Sequence, residues 1–129
     1  MNIKTHDRVS TALVGSPVEV VDGERAIARL ETRGEMAADS TGLVHGGFTF
    51  GLADYAAMLA VNHPHVVLGS AQVKFTAPVT VGETMTAEAK VTSTEGKRSE
   101  VSVEVKAGDR RVFTGQFTCY ILEKHVLDK

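Results

Sequence analysis

The sequence predicts an α+β domain, one long buried helix packed on an antiparallel sheet of five or six strands. Three observations predict it. Residues 40–73 contain a single Asp, Glu, Lys or Arg, which is Asp54. Within that region Gly46 to Asn62 is free of proline and rich in Ala, Leu and Met, and Pro64 follows, which marks a helix and its stop. Beyond it the chain alternates apolar and polar residues in runs joined by short turns, the pattern of an antiparallel sheet.

Each element follows in order. Residues 1–15 are mixed and polar and read as an arm or a short helix. Pro17–Val21 and Arg25–Thr32 are short β-like runs, with Asp22-Gly23 as the turn between them. The helix, residues 46–62, is apolar nearly all round: Phe48, Phe50, Leu52, Ala53, Tyr55, Ala56, Ala57, Met58, Leu59, Ala60 and Val61. A helix apolar on every face is usually buried on every face, so sheet or a partner subunit is expected to wrap it. Val66 to Ala77 is extended and ends at Pro78. Thr84 to Thr94 places Met85, Ala87, Ala89 and Val91 on one face, and Ser99 to Ala107 does the same with Val101, Val103 and Val105. Arg111 to Leu122 is apolar on both faces near its end. The turns Glu95-Gly96-Lys97 and Ala107-Gly108-Asp109-Arg110 are short, which makes their flanking strands antiparallel. Antiparallel strands thus fill residues 66–122, and residues 1–129 read as one domain.

Composition narrows the function classes. A chain of 129 residues with 43% hydrophobic and 23% charged residues is an ordinary globular domain, not a disordered or low-complexity one. Its net charge of −2 argues against nucleic acid as a partner, since phosphate-tracking proteins are usually strongly basic. The single cysteine, Cys119, cannot form an internal disulfide or a cysteine zinc cluster. No stretch approaches the roughly 20 apolar residues of a membrane span, so no membrane partner is expected. Residues 1–8 hold no apolar leader segment, and the expected compartment is the cytoplasm.

Asp54 is the most informative residue. A carboxylate among Leu52, Ala53, Tyr55, Ala56, Ala57 and Met58 has no evident polar stripe to occupy. Either backbone donors from another element satisfy it or it is functional, and a desolvated carboxylate makes a better general base. The second feature is His45-Gly46-Gly47 at the helix start. Two glycines leave backbone amides unshielded, and those donors with the helix dipole suit a developing oxyanion. The plain alternative is a glycine-shaped helix start capped by a packed histidine. Asp54 lies seven residues after Gly47, about 10 Å along a helix. If both act on one substrate, the carboxylate comes from a second subunit, and a two-fold dimer with two shared sites follows.

Other residues carry weaker signals. Asp39, Ser40 and Thr41 precede the glycine turn and read either as surface loop or as a further carboxylate and hydroxyls near the site. Ser70 and Gln72 lie on the strand after the helix, as pocket-lining or ordinary strand residues. Phe48, Phe50, Tyr55 and Met58 line either an acyl pocket or the core. His63 and His65 flank Pro64 with no carboxylate or cysteine nearby, so no metal is expected. Cys119 reads as a buried, inert thiol. There is no phosphate loop, dinucleotide fingerprint or Gly-x-Ser-x-Gly elbow.

The run Gly42-Leu43-Val44-His45-Gly46-Gly47-Phe48-Thr49-Phe50-Gly51-Leu52-Ala53-Asp54 resembles the signature of the hotdog-fold acyl-CoA thioesterases of the PaaI-like group. Phe75-Thr76-Ala77-Pro78-Val79 and Val81-Gly82-Glu83 resemble that group's second strand and exit turn, and the likeness covers roughly residues 16–122. The resemblance implies a sheet wrapped around the helix, and dimers or dimers of dimers with sites at the dimer interface. It implies that the Gly47 amide polarises an acyl-CoA thioester, with Gly46 beside it in substrate binding. It implies that His45 holds the turn and the substrate, and that Asp54 of the partner subunit is base or nucleophile. No metal or redox cofactor is implied. Many members of the group have Asn six residues before the histidine, where this chain has Asp39. Ionised Asp39 accepts a hydrogen bond but donates none, so it either shares base duty or points elsewhere.

The C-terminal half, from Gly69-Ser70-Ala71-Gln72-Val73-Lys74-Phe75-Thr76 through Val112-Phe113-Thr114-Gly115-Gln116-Phe117, also resembles the hotdog ligand-binding domain of the regulator FapR. That likeness implies a domain that binds acyl-CoA-type ligands without cleaving them. Residues 1–15 are too few for a DNA-binding module. A hydratase is disfavoured, because Asp39 and His45 have five residues between them and no His-Phe-Pro turn occurs.

Overall fold

A computed structural model describes residues 1–128. The strands are β1 (Ser16–Val21), β2 (Arg25–Glu31), β3 (Val66–Phe75), β4 (Thr84–Glu95), β5 (Arg98–Ala107) and β6 (Arg110–Ile121), and the helix α1 is Gly46–Val61. All six strands form one antiparallel sheet in the order β1-β2-β4-β5-β6-β3. Only β4, β5 and β6 follow one another as a simple meander. α1 and the segment after β3 carry the chain across the sheet, so β3 docks on the far side of β6 and forms an edge.

Small side chains let α1 lie close to the sheet. Ala26 pairs with Ala89 and Ala28 with Ala87 across β2 and β4, and all four are fully buried. Ala53, Ala56, Ala57 and Ala60 of α1 are equally buried. Larger side chains close the core: Leu52, Met58 and Leu59 from α1, with Phe113 and Phe117 from β6. The alternation in β4 and β5 resolves as apolar-in and polar-out. Met85, Val101, Val103 and Val105 are buried, whereas Thr86, Glu88 and Lys90 are exposed.

The first fifteen residues form turns rather than a helix, and Asn62 ties them down. Asn62 ends α1 in the left-handed conformation, with φ of 48°, which Asn tolerates better than most residues. Its Oδ1 accepts from Lys4 N at 2.8 Å. Its Nδ2 donates to Asn2 O at 2.8 Å and to Asp22 Oδ1 at 2.7 Å. One buried amide thus joins the arm, the helix end and the β1–β2 turn. Asn62→Ala is expected to lower unfolding stability by about 3 kcal/mol, because a strained backbone and unpaired buried groups remain. Urea unfolding checks this, and an unchanged midpoint contradicts it.

Candidate active site

The segment before α1 is held as a firm loop. Ala38 N donates to Leu43 O at 2.7 Å, His45 N to Met36 O at 2.9 Å and Val44 N to Val79 O at 2.8 Å. Asp39 closes the loop as an Asx turn. Its Oδ1 accepts from Thr41 N at 2.9 Å, Thr41 Oγ1 at 2.6 Å and Leu43 N at 3.4 Å. The hydroxyl bond first, then the backbone bonds, holds the Asp39 carboxyl below its ordinary value. That setting disfavours proton uptake by Asp39.

His45 is the N-cap of α1, and its Nδ1 accepts from Gly47 N at 2.9 Å. An accepting Nδ1 leaves the proton of the neutral ring on Nε2. A Cβ on Gly47 would fall 2.8 Å from His45 Nδ1, so glycine there makes room for the cap. The amide assigned to the oxyanion from sequence is therefore already bonded. Gly46 N–H has no acceptor among the described residues. A groove of about 390 Å³ opens at Gly46, lined also by Val44, Thr49, Phe75, Pro78 and Val79. Phe75 leans over Gly46, with its Cε1 3.2 Å from where a Cβ would stand.

Asp54 sits further along α1. Seven residues at about 100° each return it to the Gly47 face of the helix, with Gly51 between them. Its Oδ1 is buried with no hydrogen-bond partner among the described residues. Burial pushes its carboxyl above the ordinary value, and the charge of His6 partly opposes that. The folded chain thus keeps a proton that the unfolded chain releases between those two values. Stability contributed by this group falls as pH rises through that window. Asp54→Asn is expected to melt at or above the wild-type temperature at neutral pH, with a flatter pH dependence in that window. A marked loss of stability would show that the carboxylate is tied into the fold.

The remaining sequence candidates are spread apart. Phe48 is half-buried against the core, its ring edge-on to His45 at 6.4 Å. Ser70 and Gln72 are exposed on the edge strand β3, beyond an irregularity at Gly69 over which the Tyr120 ring lies. His63 Nδ1 accepts from His65 N at 3.0 Å, and His65 Nδ1 lies 3.1 Å from Leu122 O. Cys119 is buried, and burial first, with the charges of Asp54 and Glu100, pushes its thiol up to about 12. It is a neutral thiol at physiological pH. His6, whose charge acts on Asp54, carried no signal in the sequence. It lies 48 residues before Asp54, and no spacing rule links an arm to a helix interior. The Asx turn had a local signal in Asp39-Ser40-Thr41.

One long helix on a six-stranded antiparallel sheet, entered through a His-Gly-Gly turn with an acid nine residues on, defines a hotdog domain. The thioesterase superfamily pattern matches residues 41–114, and the chain belongs to that family. It is 47% identical over 124 residues to methylthioribose-1-phosphate isomerase of Aquifex aeolicus, covering 95% of this chain and 27% of that protein. It is 29% identical over 126 residues to the transcription factor FapR of Thermoanaerobacter sp., covering 98% of this chain and 63% of FapR. The chain thus spans about a quarter of the first relative's length and under two-thirds of the second's. Among solved structures, an uncharacterised protein from Pyrococcus horikoshii matches with 54% identity and a TM-score of 0.96, over 99% of this chain and 98% of that one. A mutant of the phenylacetic acid degradation protein PaaI from Thermus thermophilus matches with 27% identity and a TM-score of 0.78, over 85% of this chain and 95% of that one.

Proposed function

We propose that the protein is an acyl-CoA thioesterase with two equivalent sites, each shared between two subunits. The observation that carries this reading is Asp54 Oδ1, a buried carboxylate oxygen with no partner among the described residues. Such an oxygen is costly for a fold and useful for a base. Gly46 lies eight residues before it, about 12 Å along α1, so one chain does not bring both groups to one carbonyl. A second α1 running antiparallel does. The ten-residue edge strand β3 and the 55% exposed Phe75 beside the groove offer a surface for that pairing.

The thioester carbonyl enters the groove and accepts from Gly46 N–H at the positive end of α1. Gly47 N–H keeps His45 in place. Asp54 of the partner subunit takes a proton from water as the water oxygen bonds to the carbonyl carbon. The oxyanion forms at the helix N-terminus, where the free amide and dipole stabilise it. Collapse breaks the carbon–sulfur bond, and the proton held by Asp54 passes to the leaving sulfur. Asp39 supports the turn, and Ser70, Gln72 and Phe48 flank the substrate path.

The likeness to FapR favours a second reading, a binder of acyl-CoA-type ligands that does not cleave them. Thiol release from aryl-, short- and long-chain acyl-CoAs separates the two, with binding followed on the same samples. Multiple turnovers are expected with at least one of them. Tight binding without turnover across the panel contradicts hydrolysis and supports the second reading.

A further inference from the structure

The arm lies outside residues 41–114, the region matched by the family, yet it forms a cavity of about 530 Å³ at the Val66 end of β3. Val9, Pro64 and Val66 give this cavity an apolar part. His6, Arg8 and His125 bring planar nitrogen groups to it, and Asp7 is its one carboxylate. The lining is held in place. Asn62 bonds the arm through Asn2 and Lys4. His6 has a φ of 53°, a left-handed backbone that persists in a non-glycine residue only where neighbours fix it. Thr5 is buried, and its Oγ1 lies 2.7 Å from His6 Nδ1, so Nε2 is the ring nitrogen left for a ligand. Arg8 is left for one too. Every other arginine has a carboxylate within 3.6 Å, whereas Arg8 has no ion-pair partner among the described residues.

β3 carries this cavity at one end and the Gly46 groove at the other, since Val66 lines the first and Phe75 the second. Its ten residues, at about 3.3 Å each, set the two about 30 Å apart within one chain. Antiparallel pairing of two β3 edges about a two-fold axis brings the Val66 end of one strand to the Phe75 end of the other. Each arm cavity then adjoins the groove of the partner subunit. We propose that the cavity receives the nucleotide end of an acyl-CoA whose thioester lies in the partner subunit's groove. The proposal rests on the thioesterase reading and its β3-paired dimer. The chemistry matches group by group. The Arg8 guanidinium meets phosphate oxygens through charge-assisted hydrogen bonds. Lys4, which shares its ammonium with Asp22 at 2.6 Å, adds a second cation. The flat His6 and His125 rings and the apolar side chains suit the faces of a purine. Asp7 accepts from the amine or hydroxyl groups of a nucleoside. A thioester on a carrier protein has no nucleoside, so the arm selects CoA.

The experiment has two parts. Arg8→Ala removes the unpaired guanidinium and leaves the bonds that fix the arm in place. Its kcat/KM is compared with wild type on an acyl-CoA and on the same acyl group carried by N-acetylcysteamine, which has the thioester but no nucleotide. Arg8→Ala is expected to lose about tenfold more on the acyl-CoA than on the short thioester, the loss falling on KM. Equal losses on both overturn the proposal. In the second part free CoA is added to the protein, and the His6 and His125 imidazole signals are followed by proton NMR, each assigned by its loss in His6→Asn or His125→Asn. Both signals are expected to move in wild type, and to need about tenfold more CoA in Arg8→Ala. Signals that stay in place as CoA is added overturn the proposal. If neither thioester is turned over, the hydrolytic reading fails, and the imidazole signals alone decide whether CoA occupies the arm cavity.

Discussion

Asp54→Asn is expected to lower thioester turnover by about 10²-fold or more, the factor a positioned general base contributes. The substitution keeps the shape of the side chain and removes its ability to take a proton. No donor among the described residues holds Oδ1, so the new amide breaks no existing bond there. Removing a buried charge also relieves the fold, so lost activity accompanies unchanged or raised stability. That combination separates a chemical role from a structural one. The loss is expected to fall on kcat, since the proposed site assigns the substrate contacts at the groove to other residues. Near-wild-type turnover in a folded variant removes Asp54 from the reaction.

The second large effect is expected at Gly46. Gly46 is the first residue of α1, and His45 before it has φ of −63° and ψ of 133°. Proline is well tolerated at the first helical position, and the residue before it prefers that extended backbone. Gly46→Pro therefore deletes the one amide in question while the helix persists. Both Pro and Ala add a Cβ against the movable Phe75 ring, which must shift by a few tenths of an ångström. Only Pro removes the donor. Loss of one oxyanion donor costs about 10²–10³ in kcat. Gly46→Pro is expected to fall by that factor below Gly46→Ala. Equal activities of the two variants, measured by thiol release, return the oxyanion role to another group.

The fold was legible wherever local pattern decides structure. Met85, Ala87 and Ala89 alternate because one face of β4 is buried, and a period of two survives in the sequence. α1 was legible through its missing prolines and its apolar surface, and Asp54 through being the lone charge in that region. Sheet order was not. That β3 pairs with β6 depends on how the chain crosses the sheet, and no residue in Val66–Phe75 encodes it locally. The glycine turn was legible as a helix start, but which amide stays free was not. That depends on the His45 side chain turning back to Gly47, a rotamer rather than a spacing. The role of Asn62 was hidden because its partners are Asn2, Lys4 and Asp22, each at least 40 residues away.

The shared site is tested most directly by mixing the two impaired variants. Gly46→Pro and Asp54→Asn subunits are unfolded together in equal amounts, refolded, and assayed for thiol release. In a mixed dimer one site carries both substitutions and the other carries neither. Random pairing makes half the dimers mixed, so the mixture is predicted to recover about a quarter of wild-type activity. A mixture no more active than the two variants assayed apart contradicts a site built from Gly46 of one subunit and Asp54 of the other.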